Sequence, residues 1–371
     1  MPAELALLPV DDAPGCPKHM EYGPCGGVEF DGRCEVAEHA CVFLDLATVP
    51  WHGLIGAAEA PDAVAHVSAP DPVPAPVASS GSARMRTLLA TRQIVVADFP
   101  AAALSADSIA ECGAVLAGHV DAVLAGDSGA ARVQFPPAYR AALIQATGLE
   151  VWTGLNCRDR NRVAIEGELA ALAQLGVAGI HSVTGDHTLT GSRPDAAPVF
   201  DLDSTELAAL ASRSGLLVSV AEAPASPPVD RRPARLLQKE RAGAELCFVN
   251  HAGGASPVRS FIEAARALGS TMGFIPCIPV VIDRGSAELL QSFTTLVLPP
   301  GYLEGILAAA DARAAGIAAA VELGREFLGI DGVVGVNLSG GAGPGRALEF
   351  AEALAEIGRR IRNDGDDGAP G

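Results

Sequence analysis

The sequence has no apolar run long enough to span a bilayer, and no basic segment leads into an apolar stretch at its start, MPAELALLPVDDAPG. A cytoplasmic protein without a membrane partner is therefore expected. Positive charge is also scarce: 26 Lys and Arg stand against 44 Asp and Glu, a formal charge of -18. A surface of that sign repels phosphate, which makes nucleic acid a poor partner and favours small-molecule chemistry. There is no GxGxxG fingerprint, Walker loop or GxSxG elbow, and the cysteines lack the close CxxC pairing of zinc ribbons.

What the chain does contain is ample apolar material, 49% of its 371 residues, which excludes a disordered protein and allows a full-sized core plus a small accessory module. Its eight cysteines are unevenly spread. Cys16, Cys25, Cys34 and Cys41 crowd one end in a block rich in Gly and turn formers, too short to own a hydrophobic core. In a reducing compartment such a cluster more often holds a metal than disulfides. Four thiolates suit tetrahedral Zn²⁺; an iron–sulfur cluster is the alternative, and His19 or His39 could replace one ligand.

Four segments follow from composition. Residues 1–50 form the cysteine-rich module, and 51–84, with APDPVPAPVASSGSA at its centre, reads as a semi-stiff linker. Residues 85–363 carry the main domain, and 364–371 read as an acidic, solvated tail. Within 85–363, strand-like runs alternate with Ala- and Leu-rich helical stretches. The runs are QIVVAD, DAVLAG, LEVWTGL, GIHSVTG, LLVSVAE, ELCFVN, TMGFIPCI and GVVGVNL. Eight such units predict a (β/α)8 barrel; a doubly wound sheet is the alternative, but it usually carries a Gly-rich first turn, where this chain has ADFPAAALS.

Barrel strands converge at their C-terminal ends, so the polar residues closing each run become neighbours. These are Asp98, Asp127, Asn156 with Arg158 and Asp159, Thr184 with Asp186, Glu222, Asn250 with His251, and Asn337 with Ser339. By themselves they indicate a barrel enzyme of unassigned reaction. Each also has a bland reading: Asp186 as a helix cap, the RDRN cluster as a loop brace, Lys239 as a solvated helix residue, and Cys247 as a small buried hydrophobe. His181 is given no role.

The run LNCRDRNR, followed by LAALAQLGVAGIHSVTGDH and PVFDLDSTEL, resembles the methylenetetrahydrofolate reductase family, as do KERAGAELCFVN and FIPCIPV. The block CPKHMEYGPCGGVEFDGRCEV resembles the cysteine module that accompanies some bacterial reductases of this kind. The resemblance implies a TIM barrel that takes hydride from NAD(P)H, through FAD or FMN or directly, to 5,10-methylenetetrahydrofolate, giving 5-methyltetrahydrofolate. It also implies that Asp186 is a catalytic carboxylate beside the pterin. Thr184, Gly185, Asp186 and Lys239, with Arg158 and Asn161, become cofactor-binding residues, and Asn250 and Cys247 fall near the folate-binding amide. The family's catalytic glutamate aligns with Ala97, leaving Asp98 as the nearest acid. An alternative is a catalytically altered folate- or flavin-binding homologue serving as partner subunit or carrier. The cysteine module would then dock an electron-donor protein or a second copy of the chain.

Overall fold

The computed structural model describes residues 15–54, 79–126 and 131–363. The expected position of Asp127, most of the linker and the acidic tail lie outside the described residues. Eight parallel strands form a closed barrel in sequential order. They are β1 (Ile94–Asp98), β2 (Ala122–Ala125), β3 (Val151–Asn156), β4 (Gly179–Val183), β5 (Val218–Glu222), β6 (Leu246–Val249), β7 (Gly273–Pro279) and β8 (Gly335–Ser339). Each expected run supplies one strand, and β1 closes against β8 through Val96↔Asn337.

The helices are α1 (Ser80–Thr91), α2 (Ala106–Leu116), α3 (Pro137–Gln145), α4 (Arg162–Leu175), α5 (Ser204–Arg213), α6 (Arg232–Arg241), α7 (Ala255–Ala267), α8 (Arg284–Gln291), α9 (Tyr302–Ala308), α10 (Ala312–Leu328) and α11 (Ala347–Asn363). Two differ from the sequence expectation. Helix α1 begins at Ser80, so the last residues assigned to the linker are helical; Ser82 donates to Val177 O and accepts from Leu217 N, which seats α1 under the barrel. The long stretch after Tyr302 breaks into α9 and α10, because Asp311 accepts from Ala314 N and starts a new helix.

Strand side chains alternate between the barrel interior and the helix layer. Ile94 and Val96 pack inward with Trp152, Phe248, Ile275 and Met85 of α1. Val95, Ala97, Cys247 and Val249 belong to the larger core between strands and helices. This parity decides two site assignments. Ala97 faces the helix layer, so a carboxylate there would miss the barrel mouth, whereas Asp98 keeps the inward parity of Ile94 and Val96. Cys247 likewise faces the helix layer, not a folate as the family alignment implies.

Candidate functional site

The turn after β4 is built around Gly185, whose φ of +92° favours glycine. A Cβ there would lie 3.0 Å from Asn156 Cβ and 3.4 Å from Arg158 Cβ. A side chain there would have to push these neighbours back by a few tenths of an ångström, in addition to the strain of the positive φ. Arg158 is buried and braces this turn, donating to Asp159 through Nε (2.8 Å) and Nη2 (2.6 Å) and to Asp186 O through Nη1 (3.3 Å). The result is an Asp186 carboxylate pointing into the mouth, its side chain 61% exposed, with the buried Arg132 Nη1 3.5 Å away. Among the described residues, neither Nη1 nor Nε of Arg132 has a hydrogen-bond partner. Thr184 Oγ1 accepts from Ser204 N at 3.2 Å, tying the turn to α5. Asn161 stands apart: its side chain accepts from Ala164 N and caps α4, a structural task in place of the expected cofactor contact.

Thr184, Gly185, Asp186, His181, Lys239 and Asn250 line one mouth pocket of about 320 Å3. His181 Nδ1 lies 2.9 Å from Ser219 Oγ, and burial pushes its pKa down to about 3, so the ring is neutral. Asp98 lies in a neighbouring pocket of about 760 Å3 with Phe99, Arg140, Phe293 and the Gly-rich turn after β8. Both pockets border Gly126. Asp98 accepts from Asn337 Nδ2 at 2.9 Å and from Gly340 N at 3.1 Å. Burial raises its pKa above the ordinary carboxylate value, while the hydrogen bonds from Asn337, Gly340 and Ser339 pull the other way. The two carboxylates singled out in the sequence thus occupy adjoining chambers, one open to solvent and one biased by burial toward its protonated form.

Lys239 is neither solvated nor free for a phosphate. Its Nζ donates to Ala221 O at 2.6 Å and to Glu222 Oε2 at 2.8 Å. Burial lowers the lysine pKa against the opposing pull of Glu222. For Glu222, burial acts to raise the pKa, but Lys239 and Arg232 outweigh it and hold the carboxyl below its ordinary range. Arg232 completes the cluster, 3.2 Å from Glu222 Oε1.

The cysteine-rich module sits on the barrel mouth. Arg232 donates to Pro24 O (3.4 Å) and Cys25 O (3.0 Å), and Ser226 Oγ donates to Val28 O (3.1 Å). Gln238 accepts from Trp51 N at 2.8 Å. Lys18, Met20, Cys25, Gly27 and Glu35 consequently form the module's side of the Asp186 pocket. Of these, Cys25 was expected as a metal ligand and Gly27 as a turn residue around the metal, whereas Lys18, Met20 and Glu35 had no expected role. Cys16, Cys25, Cys34, Cys41 and His39 line a second, small cavity of about 20 Å3, room for a single ion or water. Burial raises the thiol pKa of Cys16, and that of Cys41 to about 11. Among the described residues, no three Cys, His, Asp or Glu side chains stand as a set that could hold a metal ion.

Residues 10–49 match the family described as "Methylene-tetrahydrofolate reductase C terminal", so the resemblance read from the sequence is shared by an independent family match to the module. No curated protein matches the chain. Among solved structures, a protein from Clostridium thermocellum described as binding two copies of 5-methyl-5,6,7,8-tetrahydrofolic acid has a TM-score of 0.54 at 11% identity, over 75% of this chain and 99% of that one. A 2,3-dimethylmalate lyase has a TM-score of 0.41 at 14% identity, over 78% of this chain and 99% of that one. The first likeness shows the barrel fold; the second carries no argument.

Proposed function

From the family match of the module that walls the mouth pocket, we propose that the barrel mouth is a reduced-folate site and that the chain is a methylenetetrahydrofolate reductase-like oxidoreductase. The observation that carries this reading is the placement of the matched module directly over the turn that presents Asp186. The folate ligand of the Clostridium thermocellum protein, which shares the fold, supports the same class of substrate.

In this reaction a hydride from NAD(P)H reduces the methylene carbon of 5,10-methylenetetrahydrofolate, the C–N10 bond opens, and N10 takes a proton. Asp186 would stabilise the cationic iminium form by its exposed negative charge. Asp98, held toward its protonated form, would be the proton donor in place of the family glutamate. A ligand spanning the chambers that meet at Gly126 could address both.

A bound FAD or FMN would supply a relay for hydride. The residues fit it poorly: Lys239, which the resemblance places near the flavin phosphate or ribose, is enclosed by Ala221 O and Glu222. Direct transfer from the nicotinamide is therefore the form of the reaction we favour. The module's four thiols have the chemistry for Zn²⁺, or alternatively an iron–sulfur cluster, although as arranged they do not form a ligand set. Binding either would displace protons from the thiols, among them Cys16 and Cys41, whose pKa burial raises.

Anaerobic oxidation of NADH or NADPH with 5,10-methylenetetrahydrofolate tests the reading, with the absorbance spectrum of the purified protein reporting flavin. Turnover in a colourless preparation is expected. No turnover with either nicotinamide or with a low-potential donor would leave the second reading, a partner subunit or carrier, favoured by the absence of a carboxylate at Ala97.

A further inference from the structure

The 371 residues include only two lysines, Lys18 and Lys239, against twenty-four arginines, and both lysines line the Asp186 pocket. Elsewhere the chain meets its need for cations with arginine. An ammonium differs from a guanidinium in being a compact charge on a long stem, with three diverging donors that can serve separate acceptors. Lys239 is committed to Ala221 O and Glu222. Lys18 is not committed in the same way: it is 4% exposed, and among the described residues its ion pair is with Glu35.

The surroundings of Lys18 are specific to this placement. Glu35 reaches it across Gly27, where a Cβ would collide with the Glu35 carboxylate. Lys18, Met20, Cys25 and Gly27 border both the mouth pocket and the thiol-lined cavity. Arg232 pins the adjoining carbonyls of Pro24 and Cys25 to the barrel, so the module's wall is held at a fixed height above Asp186.

We infer that Lys18 is a ligand-binding residue of the mouth site, donating a charge-assisted hydrogen bond to a carbonyl or carboxylate oxygen of the bound folate, so that the module completes the site. This rests on the reduced-folate reading above. The ligand is gripped between the carboxylate of Asp186 on the barrel and the ammonium of Lys18 on the module. Glu35 offsets part of the cost of burying that ammonium, and a ligand that brings an oxygen acceptor to the module's side adds a second charge-assisted partner.

The small number of lysines makes the test direct. Full-length protein labelled with [13Cε]lysine should show two lysine signals, assigned by K18R and K239R variants. Titration with 5-methyltetrahydrofolate is followed by NMR and by calorimetry in parallel. The Lys18 signal should move and saturate with the calorimetric affinity. A K18M/E35Q double variant, which removes both charges and leaves no lone buried ion, should bind at least tenfold more weakly. Calorimetric binding with an unmoved Lys18 signal and unchanged affinity in the double variant would overturn the role of Lys18 and leave the folate site standing. If the wild-type chain does not bind at all, the folate reading fails and this inference falls with it. A Lys18 signal that responds to NADH and not to the folate would also overturn it, by assigning the module's side of the pocket to the nicotinamide.

Discussion

In the proposed reaction a carboxylate that meets a developing cation is most useful when it is held in place yet open to the ligand, and Asp186 has both properties. Its backbone is braced by Arg158 through Asp186 O, while its side chain stays largely exposed beside Arg132. Replacing it by asparagine keeps the shape and removes the charge. We expect D186N to lower kcat tenfold or more, about 1.4 kcal/mol in the barrier, with a smaller effect on binding of 5-methyltetrahydrofolate. Steady-state rates equal to wild type would take Asp186 out of the chemistry. A second residue effect concerns stability. Burial, reinforced by Asp203, pushes the Glu206 pKa from 4.5 up to about 8. The folded protein then keeps a proton that the unfolded chain releases, so stability falls as pH rises through that interval. E206Q retains an acceptor for Asp203 N, which Glu206 Oε2 now serves at 3.0 Å, and loses the titration. Its Tm should therefore change less than that of wild type between about pH 5 and pH 8; parallel Tm curves would refute the assignment.

Among the elements, α6 has the widest reach, because its first residue joins three parts of the molecule. Arg232 pairs with Glu222 at the end of β5, shares that carboxylate with Lys239, and donates to the module's carbonyls. Removing one member of a buried ionic cluster costs about 3 kcal/mol or more, since its partners stay desolvated. R232M is expected to destabilise the protein by roughly that amount. Hydrogen exchange should rise more at residues 24–28 than in the strands; equal protection there would show that the module is held by other contacts. A milder change, N161A, should cost about 1 kcal/mol in denaturant unfolding, as the loss of an N-cap does, and should leave ligand binding intact. These elements were unequally legible. The strands announced themselves as apolar runs of strand length between Gly-rich turns, whereas α1 was hidden by the Ser- and Ala-rich composition it shares with the linker before it. The break between α9 and α10 hangs on one capping aspartate, Asp311, within an Ala-rich stretch that reads as continuous helix.

At the scale of the whole molecule, the module and the barrel share a wall, and the state of one should be felt in the other. If the four thiols hold zinc, elemental analysis should find about one metal per chain, as a site of four thiolates requires. Chelation should then weaken 5-methyltetrahydrofolate binding, because Lys18, Met20, Cys25 and Gly27 border both cavities. Metal loss without any change in affinity would separate the two sites. The order of strands, the barrel and the family resemblance were all determined by the sequence, since each depends on local period, turn residues and motif spacing along the chain. Asp98 and Asp186 could be singled out for the same reason. Which way a side chain faces was decided only in the closed barrel: alternation turns Ala97 and Cys247 to the helix layer and Asp98 to the mouth. The burial of Lys239 against Glu222 and the docking of Lys18 above Asp186 were likewise invisible beforehand. They join residues far apart in the chain, and a charge reveals its partner only when folding removes it from water.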